Sequence, residues 1–285
     1  MKIAIQGDIG SFSYVIATQL SGSSISIDSC DSFKEVFNKI RNKQVDKGII
    51  PIENALTGRI GETVKLLMEE DDFKIVNEAY LEINHYLLAR STIPIENLKE
   101  IYGHPEALSQ CKKFLSNLPA KKISYIDGAK AFSIVSENDE LALIASVKMH
   151  DLFNLEILCG NIQDEIWNQT RFFVIENIAN KITINTENKN KTSIIISTNH
   201  IPGALYRVLS IFAENEINLT KLESIPSRKN LWEYIFLLDF EGHTNSEIVQ
   251  DVLFKIKGYT NFIKILGSYP LENYPETRTE LEIKI

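Results

Sequence analysis

Asn168-Gln169-Thr170-Arg171-Phe172 places a hydroxyl, a permanently charged guanidinium and an aromatic ring on consecutive residues. The stretch lies between a polar loop and the apolar run Phe172-Phe173-Val174-Ile175. A strand alternates its faces, so Thr170 and Phe172 point one way and Arg171 the other. Twist at the strand mouth is expected to let both Thr170 and Arg171 face a cleft. A small donor beside a fixed cation suits an anionic substrate. An ordinary strand start with a surface arginine fits the same residues.

Three other stretches carry polar chemistry. Gly7-Asp8-Ile9-Gly10-Ser11-Phe12-Ser13 follows a short apolar run. Its glycines permit a tight turn, Ser11 is a good N-cap, and the N–H groups with the Ser11 and Ser13 hydroxyls form a place for a carboxylate. The spacing is neither a Walker loop nor a full dinucleotide fingerprint, and a plain tight turn is an equally good reading. Glu53-Asn54 ends the run Gly48-Ile49-Ile50-Pro51-Ile52, offering a charge and an amide that both donates and accepts. A turn capped by Asn54 is the alternative. Gln110 lies off the apolar stripe Ala107, Leu108, Cys111, Phe114, Leu115 of a helix expected from about Pro105 to Leu118, and can reach a cleft. His104, before Pro105, reads as a capping or packing residue rather than a base.

The elements that must position these residues alternate. Lys2–Gln6 reads as a strand, Ser11 to about Leu20 as a helix, Phe33–Arg41 as a helix and Gly48–Ile52 as a buried strand. A helix over Glu62–Glu69 and strands over Lys74–Ile83 and His85–Ala89 follow. Beyond them the pattern is again α/β, in which ligands sit at the carboxyl ends of strands. Asn177 to Lys191 is Asn- and Lys-rich without a hydrophobic face and reads as a linker. After it, Thr192–Thr198, Ala204–Asn215, Asn218–Ile225, Trp232–Phe240, Ser246–Lys257 and Asn261–Tyr269 make a βαββαβ unit of ferredoxin-like type. The tail from 271 to 285 reads as mobile and charged.

At 285 residues the chain suggests two domains or three small ones. The apolar runs are strand-sized, so a membrane span is not expected, and Gln6-Gly7-Asp8 ends the first run too early for a signal peptide. Three cysteines and five scattered histidines give no metal-ligand spacing; reduced thiols in a cytoplasmic protein are expected. A net charge of −8 argues against nucleic acid as a main partner, while a local arginine or helix N-terminus can still hold a small anion.

Taken in order, these pieces resemble prephenate dehydratase followed by an ACT domain. The resemblance rests on Gly7-x-x-Gly10-Ser11-Phe12-Ser13, Pro51-Ile52-Glu53-Asn54, His104-Pro105-x-Ala107-Leu108-x-Gln110-Cys111 and Thr170-Arg171-Phe172. It continues through Gly203-Ala204-Leu205, Ile217-Asn218-Leu219-Thr220-Lys221 and Glu223-Ser224-x-Pro226, so it covers the chain to about Tyr269. It implies an α/β catalytic domain of bilobal, periplasmic-binding-protein-like type II fold over 1–178, with lobe 1 about 1–80 and 158–178 and lobe 2 about 81–157. A linker over 179–191, an α+β ferredoxin-like ACT domain over 192–270 and the tail complete the expected organisation.

The implied reaction converts prephenate to phenylpyruvate with loss of water and carbon dioxide, without metal or organic cofactor. By the resemblance, Thr170 donates to the departing hydroxyl, and Arg171 with the Ser11/Ser13 helix start holds carboxylates or supports groups that do. Asn54 and Gln110 orient substrate, with Glu53 beside them, and Phe172 packs beneath. L-phenylalanine is implied as the effector at Gly203, Ala204, Leu205, Asn218, Glu223 and Ser224, in a homodimer or homotetramer paired through the ACT domain. The chain departs from the family pattern at Ala55, Gly103 and Gly128, where hydroxyl residues are usual, and at Ile225, where arginine is common. Those losses keep two alternatives open: a relative that acts on arogenate or only decarboxylates prephenate, and a non-catalytic amino-acid sensor.

Overall fold

A computed structural model describes residues 1–22, 25–125, 128–180, 189–199, 201–226 and 234–272. Most of the expected linker, the tail beyond Glu272, Asp127, and Trp232 in an expected strand lie outside the described residues. Two compact units divide the chain: Met1–Val64 with Ala79–Phe172, and Lys65–Glu78 with Phe173–Tyr274.

Along the chain, β1 (Lys2–Gln6), α1 (Phe12–Ser21), β2 (Ser26–Cys30), α2 (Phe33–Arg41), β3 (Lys47–Asn54) and the short β4 (Gly58–Arg59) come first. Chain order continues with α3 (Gly61–Glu69), β5 (Phe73–Glu82), β6 (Tyr86–Ala89), β7 (Glu100–Gly103), α4 (Pro105–Gln110), α5 (Lys112–Ser116), β8 (Lys121–Ser124), α6 (Gly128–Ser136), β9 (Leu141–Ala145), α7 (Lys148–Phe153), β10 (Glu156–Cys159) and β11 (Gln169–Asn177). One sheet has the order β2-β1-β3-β11-β5 with β4 on β3; another has the order β10-β6-β9-β7-β8. β1 pairs in parallel with both β2 and β3, which is why β3 is buried along nearly its whole length. Ser32 caps α2 by accepting from Glu35 N–H at 3.2 Å, and Val36, Phe37 and Ile40 form its buried stripe.

β2 and β4 were not expected. β2 is a half-exposed edge strand, so its residues carry little hydrophobic signal. A second difference lies at Cys111. The expected single helix is two, because Cys111 leaves the helical region at φ −119°, ψ 26°.

The second unit adds β12 (Asn190–Thr198), α8 (Ala204–Glu214), β13 (Leu219–Pro226), β14 (Tyr234–Glu241), α9 (Glu247–Ile256) and β15 (Thr260–Pro270). The sheet order β13-β14-β12-β15 is antiparallel throughout, as a βαββαβ unit requires. α8 and α9 bury Val208, Phe212, Val252 and Ile256 against Ile194, Ile196, Leu238 and Phe240. A polar group is buried on the sheet's other face: Ser193 Oγ lies 2.5 Å from Asp239 Oδ1 and 2.6 Å from the Tyr269 hydroxyl. Lys191 Nζ meets Glu78 Oε1 at 2.6 Å, both side chains being sealed from water. Among the described residues no helix is long and apolar enough to cross a membrane.

Candidate active site

β3 ends where β11 begins, and their ends set the site. Asn54 Oδ1 accepts the N–H groups of Leu56 (2.9 Å) and Thr57 (3.1 Å), an Asx turn that fixes which end of the amide is oxygen. Its Nδ2 must then point the other way. It donates to Thr170 Oγ1 at 3.0 Å and to Asn168 Oδ1 at 2.7 Å. Asn54, Asn168 and Thr170 are all buried. Because Thr170 Oγ1 accepts from Asn54, its own proton is left to donate, and no hydrogen bond among the described residues uses it.

The chain of amides continues in one direction. Asn168 Nδ2 donates to Gln110 Oε1 at 2.8 Å, and His85 Nε2 lies 2.8 Å from the same oxygen. An oxygen can only accept, so His85 carries its proton on Nε2. Burial holds the His85 imidazole below its ordinary pKa, partly offset by Gln110 and Glu106, so at neutral pH it is uncharged. Gln110 itself is placed by the helix break. Its freed carbonyl accepts Asp164 N–H at 2.7 Å, and Asp164 Oδ1 accepts Lys113 N–H at 2.9 Å. Asp164→Ala keeps the backbone N–H that holds Gln110 but removes the acceptor for Lys113. It should therefore cost about 1 kcal/mol of stability, as loss of a helix-start acceptor does, and lower kcat only by loosening the start of α5 beside Gln110. Denaturant unfolding and steady-state kinetics check both; unchanged kcat would mean Gln110 is held without the Asp164 side chain.

Arg171 does not join this cluster. Its guanidinium is buried and lies 3.1 Å from Glu53 Oε1. Glu53 and Asn54 are consecutive in β3, as Thr170 and Arg171 are in β11, so the two contacts occupy opposite faces of these neighbouring strands. The expectation that Thr170 and Arg171 face one cleft is not met; strand alternation prevails over mouth twist. Phe172 is fully buried.

Gly7 and Gly10 adopt φ 97° and 89°, and Ser11 caps α1 by accepting from Tyr14 N–H at 3.2 Å. A Cβ on Gly10 would push against the flexible Met149 side chain, so it is chiefly the positive φ that calls for glycine in this turn. Not all its N–H groups are free: Gly7 donates to Cys30 C=O and Ser11 to Asp8 C=O. Those of Phe12 and Ser13, at the first two helical positions, have no intrahelical acceptor. They border a cavity of about 260 Å³ whose lining includes Ser11, Ser13, His85, His104, Tyr125 and Ser146. Thr170, Asn54 and Gln110 are not in that lining; the amide chain reaches the cavity through His85. His104 caps α4, its Nδ1 accepting from Glu106 N–H at 3.3 Å.

The three lost hydroxyls fall in different surroundings. Ala55 is exposed in the turn after Asn54 and donates its N–H to Gln169 C=O. A Cβ at Gly128 meets nothing within 4 Å, whereas one at Gly103 meets Leu108 Cγ at 3.2 Å and Ile144 Cβ at 3.4 Å. Gly103→Ser should therefore lower stability by about 1 kcal/mol, and trimming Leu108 to Ala should reduce that penalty in a double-mutant cycle. Gly128→Ser should show no such clash. Equal unfolding midpoints for the two serine variants would refute the packing argument.

In the second unit a cavity of about 580 Å³ is lined by Gly203, Ala204 and Leu205 with Thr198, Asn199, Ile201, Pro202, Tyr206, Tyr234 and Phe236. Gly203 caps α8 in the left-handed region at φ 80°. Asn218, Glu223 and Ser224 do not line it: Asn218 Nδ2 donates to Glu241 at 2.9 Å, Glu223 pairs with Lys221 at 3.2 Å, and Ser224 lies opposite Phe236 in β14. Ile225 is buried opposite Ile235. Among the described residues no group of three or more His, Cys, Asp or Glu side chains could hold a metal ion.

Comparison with known proteins decides the family. Residues 3–180 match the family described as prephenate dehydratase, and residues 192–258 match the ACT domain. The bifunctional chorismate mutase/prephenate dehydratase of Aquifex aeolicus is 37% identical over 272 residues, covering 95% of this chain and 74% of that one. The prephenate dehydratase of Methanocaldococcus jannaschii is 37% identical over 249 residues, covering 86% and 88%. This chain belongs to the prephenate dehydratase family. The prephenate dehydratase of Arthrobacter aurescens, solved in complex with L-Phe, shares the fold at TM-score 0.84 and 24% identity, covering 97% of this chain and 94% of that one. GqqA, described as a quorum quenching acylase, also superimposes at TM-score 0.84, with 27% identity and coverage of 95% and 98%.

Against the sequence expectations, Thr170, Asn54 and Gln110 come together, Ser11 and Ser13 stand at the cavity, and Glu53 and Arg171 pair apart from both. Sequence reasoning missed Asn168, His85 and Asp164. Asn168 sat in the stretch first singled out, and its amide beside a strand start was the available signal. His85 and Asp164 gave none, because their partners are 25 and 54 residues away.

Proposed function

We propose that this member of the prephenate dehydratase family converts prephenate to phenylpyruvate at the Thr170–Asn54–Asn168–Gln110 cluster. In that reaction the ring carboxylate leaves as carbon dioxide, its bonding electrons enter the ring, and the ring hydroxyl departs as water once protonated. Aromatisation supplies the driving force; the protein must orient the dianion and help the hydroxide leave. The observation that carries the reading is the Thr170 hydroxyl, held as acceptor by Asn54 with its proton unspent. A threonine is too weak an acid to ionise freely, so it acts as a positioned donor whose proton moves late or by relay. Gln110 keeps its amide nitrogen available to orient substrate, because its oxygen takes both internal bonds. Ser11, Ser13 and the start of α1 receive a carboxylate. Arg171 serves indirectly, through Glu53 and the β3 end that bears Asn54, and Phe172 forms the floor.

The test is incubation of purified protein with prephenate at neutral pH, following the enol absorbance of phenylpyruvate and identifying the product. A non-aromatic keto acid would replace this reading with decarboxylation alone, and phenylalanine from arogenate would shift the substrate. Absence of turnover with either substrate would leave a sensor.

Regulation by L-phenylalanine fits the second cavity, where the Gly203–Leu205 turn offers N–H groups at a helix start beside apolar walls. Asn218, Glu223 and Ser224 would then act across a pairing of ACT domains, in a cytoplasmic homodimer or homotetramer. Saturating phenylalanine should raise the melting temperature and lower kcat/KM. Calorimetry and kinetics check this; no change in either would remove the regulatory role and leave catalysis standing.

A further inference from the structure

The cavity beside α1 is offered to an anion, yet among the described residues lining it there is no lysine or arginine. Arg171 is committed to Glu53 on the other face of its sheet. The ionisable groups on the wall are Asp8 from the glycine turn, His85, His104 before α4 and Tyr125 after β8; Glu106 on α4 also acts on His85. His104 is exposed and spends Nδ1 on its own cap. His85 differs. It is 2% exposed, its ring stands edge-on to Phe12 at 5.5 Å, and its Nε2–H is pinned to Gln110. Its Nδ1 is buried without any hydrogen-bond partner. A buried polar atom left unpaired is costly and rare enough to need a reason.

We infer that His85 is the latent cation of this cavity: its bare Nδ1 takes a proton from solvent as a substrate carboxylate arrives, then donates that proton in a hydrogen bond to the carboxylate. The inference rests on the reading of the cavity as the carboxylate end of the site. In the empty protein, burial keeps the ring neutral. A carboxylate within about 4–6 Å favours the charged form, so ligand and proton bind together. The negative charges of Asp8 and Glu106 oppose anion entry but also favour an imidazolium. Nε2 stays on Gln110 in both states, so protonation leaves the amide chain to Thr170 undisturbed. The device holds a carboxylate without a permanent cation, which would otherwise attract solvent anions into the empty site.

The experiment is a titration of ¹⁵N-labelled wild-type protein with phenylpyruvate at pH 7.5, read at the ring nitrogens of His85 and assigned with His85→Gln. The glutamine amide can still donate to Gln110 but cannot titrate. The free protein should show the neutral Nε2–H pattern, and saturation should move both nitrogens to the imidazolium pattern. In parallel, KM for prephenate should rise by up to tenfold per pH unit between pH 7 and 9 in the wild type and stay flat in His85→Gln. Saturable turnover with unmoved nitrogens and a pH-independent wild-type KM would overturn this inference alone. Absence of turnover with prephenate would remove the functional reading, and this one with it.

Discussion

Thr170→Ala lowers kcat by about 10²–10³ with KM for prephenate within a few-fold of wild type, the pattern of a donor that acts in the transition state. The reasoning starts at the backbone. Leu56 and Thr57 N–H hold Asn54 Oδ1, so Asn54 Nδ2 must face Thr170 and occupy a lone pair of its oxygen. The hydroxyl proton is then aimed away from the protein's own acceptors. Asn54→Asp tests that directly, because it is nearly isosteric and still accepts from Leu56 and Thr57. It presents an acceptor where the wild type presents a donor, so the Thr170 proton would turn inward to the carboxylate. Its rate loss should approach that of Thr170→Ala, while Thr170→Ser, which keeps the hydroxyl, should recover most of the activity. Steady-state kinetics with circular dichroism as a folding check decides. An Asn54→Asp variant near wild-type activity would show that the orientation of this hydroxyl does not matter.

The legible part of this molecule was what repeats locally. Val36, Phe37 and Ile40 at helical spacing, the apolar β3, and the βαββαβ rhythm after Lys191 were all visible in residue order. So were Thr170, Asn54 and Gln110, because amides and hydroxyls at strand ends and helix starts are where α/β folds place chemistry. What residue order did not carry was direction and pairing. Arg171 next to Thr170 suggested one anion site, yet a strand's two-residue period sends them to opposite faces, where each meets a neighbouring residue of β3. Asn168, His85 and Asp164 matter through bonds to residues far along the chain, and no periodicity marks such bonds. The break at Cys111 was hidden for the same reason: α4 and α5 read as one stripe, and the carbonyl that the break frees is satisfied by Asp164.

Glu78→Gln or Lys191→Met, each alone, should cost about 3–5 kcal/mol of stability in the second unit. The two side chains form a deeply buried ion pair, 2.6 Å apart with 0% and 1% of their surfaces exposed. A charge at such depth keeps its desolvation penalty and loses part of its compensation when this partner goes, which is why removal of one member is expensive. Both lie in the second unit, Glu78 on β5 and Lys191 at the start of β12, so the pair ties two segments that are 113 residues apart in the chain. Replacing both at once with apolar residues, Glu78→Leu with Lys191→Met, should recover much of the loss, since no charge is then stranded. Denaturant unfolding of the four proteins forms a double-mutant cycle whose interaction energy should be several kcal/mol. Additive losses would mean that each charge is held by its own separate partners. A large coupling would mean that the pair holds β12 to β5, and kcat, measured on folded protein, should then change far less than stability because neither residue touches the Thr170 cluster.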